Sequence, residues 1–375
     1  MKRKVAVIYH FFPHYRSGII KELLKSNDFD FHFYGSDIEE YYGIKRCKDV
    51  PLDKFHITRF SKMKNFVFQE GLLKLAMSKE YDALIILADP HFVMTWPCSL
   101  LAKLKKKKVL FWTHGWTKDL SGIKYKIKKI YHQLSDGLLL YGDRAKNITV
   151  ENGYPPEKVY VIYNSLDYEL QLEARNLLEK KYELDVDRRE FYGNADGAIV
   201  TVARLIETCR FDLLIDAIYI LKSQGYLPMV NIIGDGPVRG KLEKYAREKN
   251  VADQIKFWGA CYDESLLSRV IYSADVTVSP GKVGLLAMHS LNYGTPVITH
   301  DSFDMQMPEY EAIIQDKTGG FFIHNDSMSL AKEIKKWISN KKSKETIKAC
   351  HEMIDKTYNP YFQSLKIHEA LYEEK

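Results

Sequence analysis

The chain has no unbroken apolar run near the roughly 20 residues that a membrane span requires; its longest, such as 83–88 and 138–141, are a handful of residues each. Nothing in it is expected to cross a bilayer. Cysteine is scarce and scattered: Cys47, Cys98, Cys209, Cys261 and Cys350 are odd in number and never spaced as CxxC. That argues against a disulfide framework or a structural zinc site and fits a reducing cytoplasm. Internal repeats and low-complexity tracts are also missing. Lys2, Arg3 and Lys4 precede an apolar run in the manner of a signal peptide, but His10, Pro13, His14 and Arg16 interrupt it and no small-residue cleavage site follows. The run reads as a first strand.

What the chain does have is material for two cores. With 375 residues, 46% hydrophobic and 28% charged, it suits two domains of roughly 150 to 200 residues each. Short β-rich runs at 5–9, 29–34, 83–87, 109–112, 137–141 and 159–163 alternate with helix-periodic segments, the pattern of a parallel α/β sheet covered by helices. A polar helix at 168–182 and a charged, core-poor stretch at 183–196 interrupt the series. A second series follows, with strands near 198–202, 229–233, 255–258, 276–278 and 296–299. The domains are therefore placed at 1–185 and 186–355, with a last helix in 356–375 expected to pack back on the first.

In open α/β sheets ligands bind outside the carboxyl ends of the strands, so the loops there carry the candidate site. Arg204 stands just past the strand 198–202, ahead of Cys209-Arg210-Phe211-Asp212. A guanidinium there either clamps a diphosphate through charge-assisted bonds or pairs with Glu207 or Asp212 on the surface. After the strand 229–233 comes Gly234-Asp235-Gly236-Pro237-Val238-Arg239-Gly240. Its third glycine is one residue late for GxGxxG and no acidic residue is placed to read a ribose, which removes a nicotinamide dehydrogenase. Such a turn holds a phosphate or simply turns the chain tightly into a helix. The third loop contains Gly281-Lys282-Val283-Gly284-Leu285, and its glycines let the backbone approach a ligand. A helix expected to start near Val283 would offer its amides to negative charge.

Taken in order, VARL, CRFD, GDGPVRGKLE and GKVGLLAMHSLNYGTPVI resemble the GRL…KGxD, GDGPxRxxLE and EGFGLxxLEAMAxGTPVI motifs of the retaining, family 4-like nucleotide-sugar glycosyltransferases, which include sucrose synthase and bacterial mannosyltransferases. The resemblance covers nearly the whole chain, from 12–16 through 162–167 to the final helix. It implies the GT-B fold, two Rossmann-like doubly wound domains facing a central cleft, with acceptors handled by 1–185 and the nucleotide-sugar donor by 186–355. It further implies a metal-independent hexosyltransferase without a cofactor. Such an enzyme moves sugar from a nucleoside diphosphate to a glycan or lipid-linked acceptor in cell-surface polysaccharide synthesis, with retention of anomeric configuration.

The departures from those motifs matter as much. Counted back from Gly294, the family's two glutamates fall on Gly281 and His289, and the lysine of KGxD falls on Cys209. Gly281 cannot replace the glutamate that contacts the transferred sugar, whereas a neutral His289 can accept from ribose hydroxyls. Arg204 is left as the main diphosphate clamp and, with the amides of 281–285, the group that meets charge on the leaving diphosphate. Arg210, Lys282 and Arg239 are substitutes, and Glu309 and Glu311 are candidate carboxylates for the same cleft. The same departures keep two other readings open: a catalytically silent subunit that binds a glycan or a partner enzyme, and a sugar-nucleotide epimerase.

In the first half, Arg16 and the amides of Ser17 and Gly18 follow the first strand, where they either meet phosphate or belong to an aromatic core turn. Pro13 makes a helical His10/His14 metal pair unfavourable. Trp112-Thr113-His114-Gly115-Trp116 resembles the family's histidine loop and makes His114 the residue expected at the acceptor or in proton handling. Asp185-Val186-Asp187 and Asp28-Phe29-Asp30 match a metal-binding DxD in letters only and are read as chance. Between 101 and 150, twelve Lys and Arg stand against three Asp. Ile123, Ile127, Ile130 and Leu134 line one helical face there with lysines around it. This is either solvated surface charge or a basic amphipathic helix that meets an anionic membrane through 103–131. No nucleic-acid recognition module accompanies the charge, so no nucleic-acid partner is expected.

Overall fold

The computed structural model describes residues 2–118, 121–181, 184–340 and 342–373. The chain divides into two compact units, Met1–Asp167 with Asn359–Lys375, and Tyr168–Tyr358. Among the described residues no helix is long and apolar enough to cross a membrane.

Unit 1 contains strands β1 (Arg3–Ile8), β2 (Phe29–Gly35), β3 (Glu40–Tyr41), β4 (Ile44–Lys45), β5 (Phe55–Ile57), β6 (Phe60–Met63), β7 (Phe66–Gln69), β8 (Ala83–Leu87), β9 (Lys108–Thr113), β10 (Gly137–Leu140) and β11 (Val159–Val161). Seven of them form a parallel sheet in the order β11-β10-β9-β8-β1-β2-β5, while β3 with β4 and β6 with β7 are antiparallel hairpins. Val5 to Ile8 and Val109 to Phe111 are all within 1% of full burial, as expected of strands covered on both faces. The helices are α1 (Ser17–Leu24), α2 (Leu72–Met77), α3 (Thr95–Leu104), α4 (Gly122–Gln133) and α5 (Asp143–Glu151). The C-terminal helix, Pro360–Tyr372, packs on α1 and β11, capped by Asn359 and fastened through Gln363 to Ser165 and Tyr163.

Helix α4 is unusual. Only Tyr131 and His132 are buried, and Ile123, Ile127 and Ile130 are exposed at 74%, 45% and 55%. Its apolar stripe points to solvent and its inner face is aromatic and basic.

Unit 2 begins with α6 (Tyr168–Lys181) and α7 (Leu184–Tyr192) and continues through β12 (Ala198–Val202), α8 (Phe211–Ser223), β13 (Met229–Ile233), α9 (Arg239–Glu248), β14 (Ile255–Gly259), α10 (Glu264–Tyr272), β15 (Val276–Val278), α11 (Leu286–Asn292), β16 (Val297–His300), β17 (Gly319–Phe322), α12 (Ser327–Asn340) and α13 (Lys344–Lys356). Its six parallel strands run β14-β13-β12-β15-β16-β17. The division falls at Asp167, earlier than the 185 expected from sequence, because α6 and α7 pack on α10. The charged stretch is thus largely helix α7, tied to unit 2 by ion pairs, and α6 before it has one of its own. Arg269 bonds Asp187 at 2.7 Å and Arg175 bonds Asp355 at 3.0 Å. Asp187 is 1% exposed, and the Asp185 side chain lies outside the described residues. The other DxD also has an ordinary explanation, since Asp30 pairs with Lys54 and His32.

Candidate functional site

The strand order of unit 2 reverses between β12 and β15, so the loops leaving their carboxyl ends diverge and open a crevice. Three loops meet there through backbone alone. Gly234, at φ 145°, lies so close to Ala203 that a Cβ would overlap its carbonyl oxygen. Gly236 stands in the same relation to Leu205, and Gly281 to Thr208. Hydrogen bonds fix the contact, from Leu205 N–H to the Asp235 carbonyl at 3.0 Å and from Gly281 N–H to the Cys209 carbonyl at 3.1 Å. Position 281 therefore has no room for a glutamate, because the Thr208–Cys209 backbone occupies that space.

On this platform Arg204 and Lys282 are exposed, and Lys282 makes no ion pair among the described residues. Open space surrounds the place a Cβ would take at Gly284. Arg210 has a different fate. Its guanidinium forks onto Asp212 at 2.9 to 3.2 Å and reaches Asn325, so it is not turned to a ligand. Arg239 is held likewise by Glu243 at 2.8 Å. Of the acidic residues near Arg204, Glu207 faces Lys241 and Asp212 holds Arg210. At the position of the expected lysine, the Cys209 thiol donates to the Arg204 carbonyl at 3.3 Å.

The Val283 region differs from its sequence reading. Helix α11 starts at Leu286, with Leu285 at its cap, so Val283 belongs to the preceding loop. Its N–H is already taken by Gln306 Oε1 at 2.8 Å, while Gln306 Nε2 donates to Thr299 Oγ1 at 2.8 Å and the His300 carbonyl at 3.1 Å. Gln306 carries no motif signal, so only the folded chain reveals it as the brace of this loop. His300 is another residue that sequence reading missed. It is 2% exposed, its ring tilted against that of His324 with centroids 4.4 Å apart, and burial followed by His324 presses its pKa down to about 4.

His289 Nε2 lies 2.8 Å from Glu264 Oε1, an oxygen that the Tyr293 hydroxyl also reaches. Burial pushes the Glu264 carboxyl up, but the charge and bond of His289 with the bond from Tyr293 hold it below its ordinary 4.5. An ionised Glu264 accepts, so His289 turns Nε2–H toward it and leaves Nδ1 for a further partner. Glu309, 3% exposed, sits in the short turn Pro308–Ala312 against α11, with Glu311 half-buried beside it.

Unit 1 has its own reversal, between β1 and β8. Arg16, 7% exposed, donates to Asn164 Oδ1 at 2.8 Å and to the Tyr141 hydroxyl at 2.5 Å, with its guanidinium 5.1 Å from both the Trp112 and Tyr141 rings. This is the aromatic turn rather than the phosphate loop. Gly18 serves packing as well, since a Cβ there would overlap the Leu166 carbonyl and crowd Pro360. His114 is exposed, its ring 4.7 Å from that of Tyr141. Partial loss of water around the ring, then the Arg16 charge, lowers its pKa and keeps it neutral.

Residues 189–359 match the family described as Glycosyl transferases group 1. A stretch of 103 residues, 27% of this chain, is 34% identical to a GDP-mannose-dependent alpha-(1-6)-phosphatidylinositol dimannoside mannosyltransferase of Mycobacterium tuberculosis; it spans 26% of that relative. Among solved structures, a glycosyltransferase from Rickettsia africae superposes with a TM-score of 0.73 at 13% identity, covering 100% of both chains. HepE of Anabaena in complex with UDP gives 0.69 at 13% identity, covering 98% of this chain and 99% of that one. At such identity the likeness shows the fold, which is GT-B.

Proposed function

We propose that this chain, which carries a glycosyl transferases group 1 domain at 189–359, moves a hexose from a nucleoside diphosphate sugar to a glycan or lipid-linked acceptor in cell-surface glycan synthesis. The observation that carries the reading is the glycine platform of unit 2, where exposed Arg204 and Lys282 stand over strand ends whose backbone is already fixed. As the bond to the donor sugar breaks, negative charge grows on the diphosphate. Cations held in place beforehand stabilise that charge most in the transition state. His289, oriented by Glu264, offers Nδ1 to the donor's hydroxyls, and His114 in unit 1 is assigned to the acceptor. Retention of anomeric configuration and independence of metal belong to the proposal.

The relatives name GDP-mannose and UDP, so the test offers both GDP- and UDP-sugars with a membrane glycan extract and follows nucleoside diphosphate release. Acceptor-dependent release is expected. Arg204→Ala should lower it about a hundredfold or more, the scale of losing one charge-stabilising group. Wild-type rates in that variant would remove Arg204 from the site. The filled space at Gly281 and the occupied Val283 amide favour one second reading, a catalytically silent subunit that binds a glycan or a partner enzyme; undetectable nucleotide binding would select it.

The outward stripe of α4 extends the proposal to peripheral attachment at the cytoplasmic face of a membrane. Ile123, Ile127 and Ile130 would enter the interfacial layer while Lys124 and Lys126 meet anionic headgroups. Replacing Ile127 and Ile130 with Ser should reduce binding to anionic vesicles severalfold, as read by sedimentation. Unchanged binding would leave the stripe as plain surface.

A further inference from the structure

A separate cavity of about 230 Å³ lies wholly within unit 1, walled by the ends of α3 and α4 and the turn after α5. Lys103, Lys129 and Lys158 line it together with His132, Trp116 and Asn152, and no carboxylate is among its lining residues. Three cations converging on one small space repel each other unless an anion joins them. Lys103 is partly answered by Asp136 at 3.4 Å, and Lys129 leans on the Tyr125 hydroxyl at 3.4 Å. Lys158 is exposed, with no hydrogen bond or ion pair from its side chain among the described residues.

An independent observation points the same way. His132 is 1% exposed, and its Nδ1 has no hydrogen-bond partner. Buried polar atoms are nearly always paired, and one left open beside three lysines calls for a ligand. Burial, then Lys128, holds the ring's pKa down to about 3, so it is neutral and carries one N–H. The cavity thus holds ammonium groups and an unpaired ring nitrogen, with the Asn152 side chain on its wall.

We propose that this cavity binds a phosphate group, as a monoester or diester. Two sources share that chemistry, a soluble phosphate compound and a phospholipid headgroup. Lys129, His132 and Gln133 of α4 line the cavity, and the same helix carries the exposed Ile123, Ile127 and Ile130. The inference does not rest on the donor reading, because every group in it belongs to unit 1.

The test titrates inorganic phosphate into the full chain and follows the His132 imidazole resonances, which report on this cavity and not on unit 2. Saturable shifts are expected. Lys129→Gln and Lys158→Gln, both changes near the surface, should each weaken binding about fivefold or more while thermal unfolding stays close to wild type. No saturable shift, or affinity unchanged in both variants, overturns the proposal. A second arm adds phosphatidylglycerol vesicles in a phosphatidylcholine background. Competition between vesicles and inorganic phosphate at His132 assigns a lipid headgroup; phosphate binding indifferent to vesicles assigns a soluble phosphate.

Discussion

The two units treat an arginine at a strand end in opposite ways. In unit 1, Arg16 is sealed by Asn164, Tyr141 and Trp112. In unit 2, Arg204 stays exposed. The difference lies in what is beneath each residue. Aromatic side chains around β1 leave a cage that a planar guanidinium fills, and the cation becomes part of the wall. Around β12, the carbonyls of Ala203, Leu205 and Thr208 press directly on glycines, so no space remains into which a side chain can fold. Unit 1 draws its arginine into the wall, whereas unit 2 keeps its arginine at the surface with the interior behind it closed.

The sharpest break of that contrast is at Gly281. Gly281→Glu, the residue the resemblance would restore, should destabilise unit 2 by more than about 4 kcal/mol, since backbone must move to admit any Cβ. Gly284→Ala, with open space around it, should change stability by less than about 1 kcal/mol. Denaturant unfolding checks both, and equal effects would dissolve the platform argument. In unit 1, Arg16→Met should cost about 3 kcal/mol by stranding the Asn164 and Tyr141 groups. It should also raise the pKa of His114, which the arginine now holds down; an NMR titration reads the rise. A His114 pKa that stays put would separate the two residues.

The smallest effect concerns Glu264. Its pKa is lower in the fold than the ordinary 4.5, so its contribution to stability is present above about pH 4.5 and is lost as pH falls through the folded value. Glu264→Gln should therefore flatten the stability profile in that acid range and leave the neutral range less stable. A profile parallel to wild type would show that the pairing with His289 and Tyr293 adds nothing.

Much of this architecture was legible from residues alone, for a physical reason. Strands buried on both faces read as continuous apolar runs, which is why β1, β8, β9 and β12 are plain in the sequence. Strand β5 is only three residues, β17 begins Gly-Gly, and the hairpins of 40–69 are largely exposed, so none carries that signal. Helix α7 hides its role because its burial works through ion pairs, Asp187 to Arg269 and Arg188 to Asp275. At the site, glycines that meet backbone form ordered local motifs and are readable. Arg16 and Gly18 look like a phosphate loop because the partners that absorb them, Asn164, Leu166 and Pro360, are distant in sequence. Gln306 is hidden for the same reason.

The most direct test of the central claim is thermal unfolding of the full chain and of Arg204→Ala against UDP, GDP and their sugars. A ligand at about a hundred times its dissociation constant adds about 2.7 kcal/mol to the folded state, and each kcal/mol moves the midpoint by roughly 2 to 4 °C for a domain of this size. The account predicts a rise of about 5 to 10 °C with one base, largely lost in Arg204→Ala. No rise with any nucleotide, or an equal rise in the variant, would contradict it.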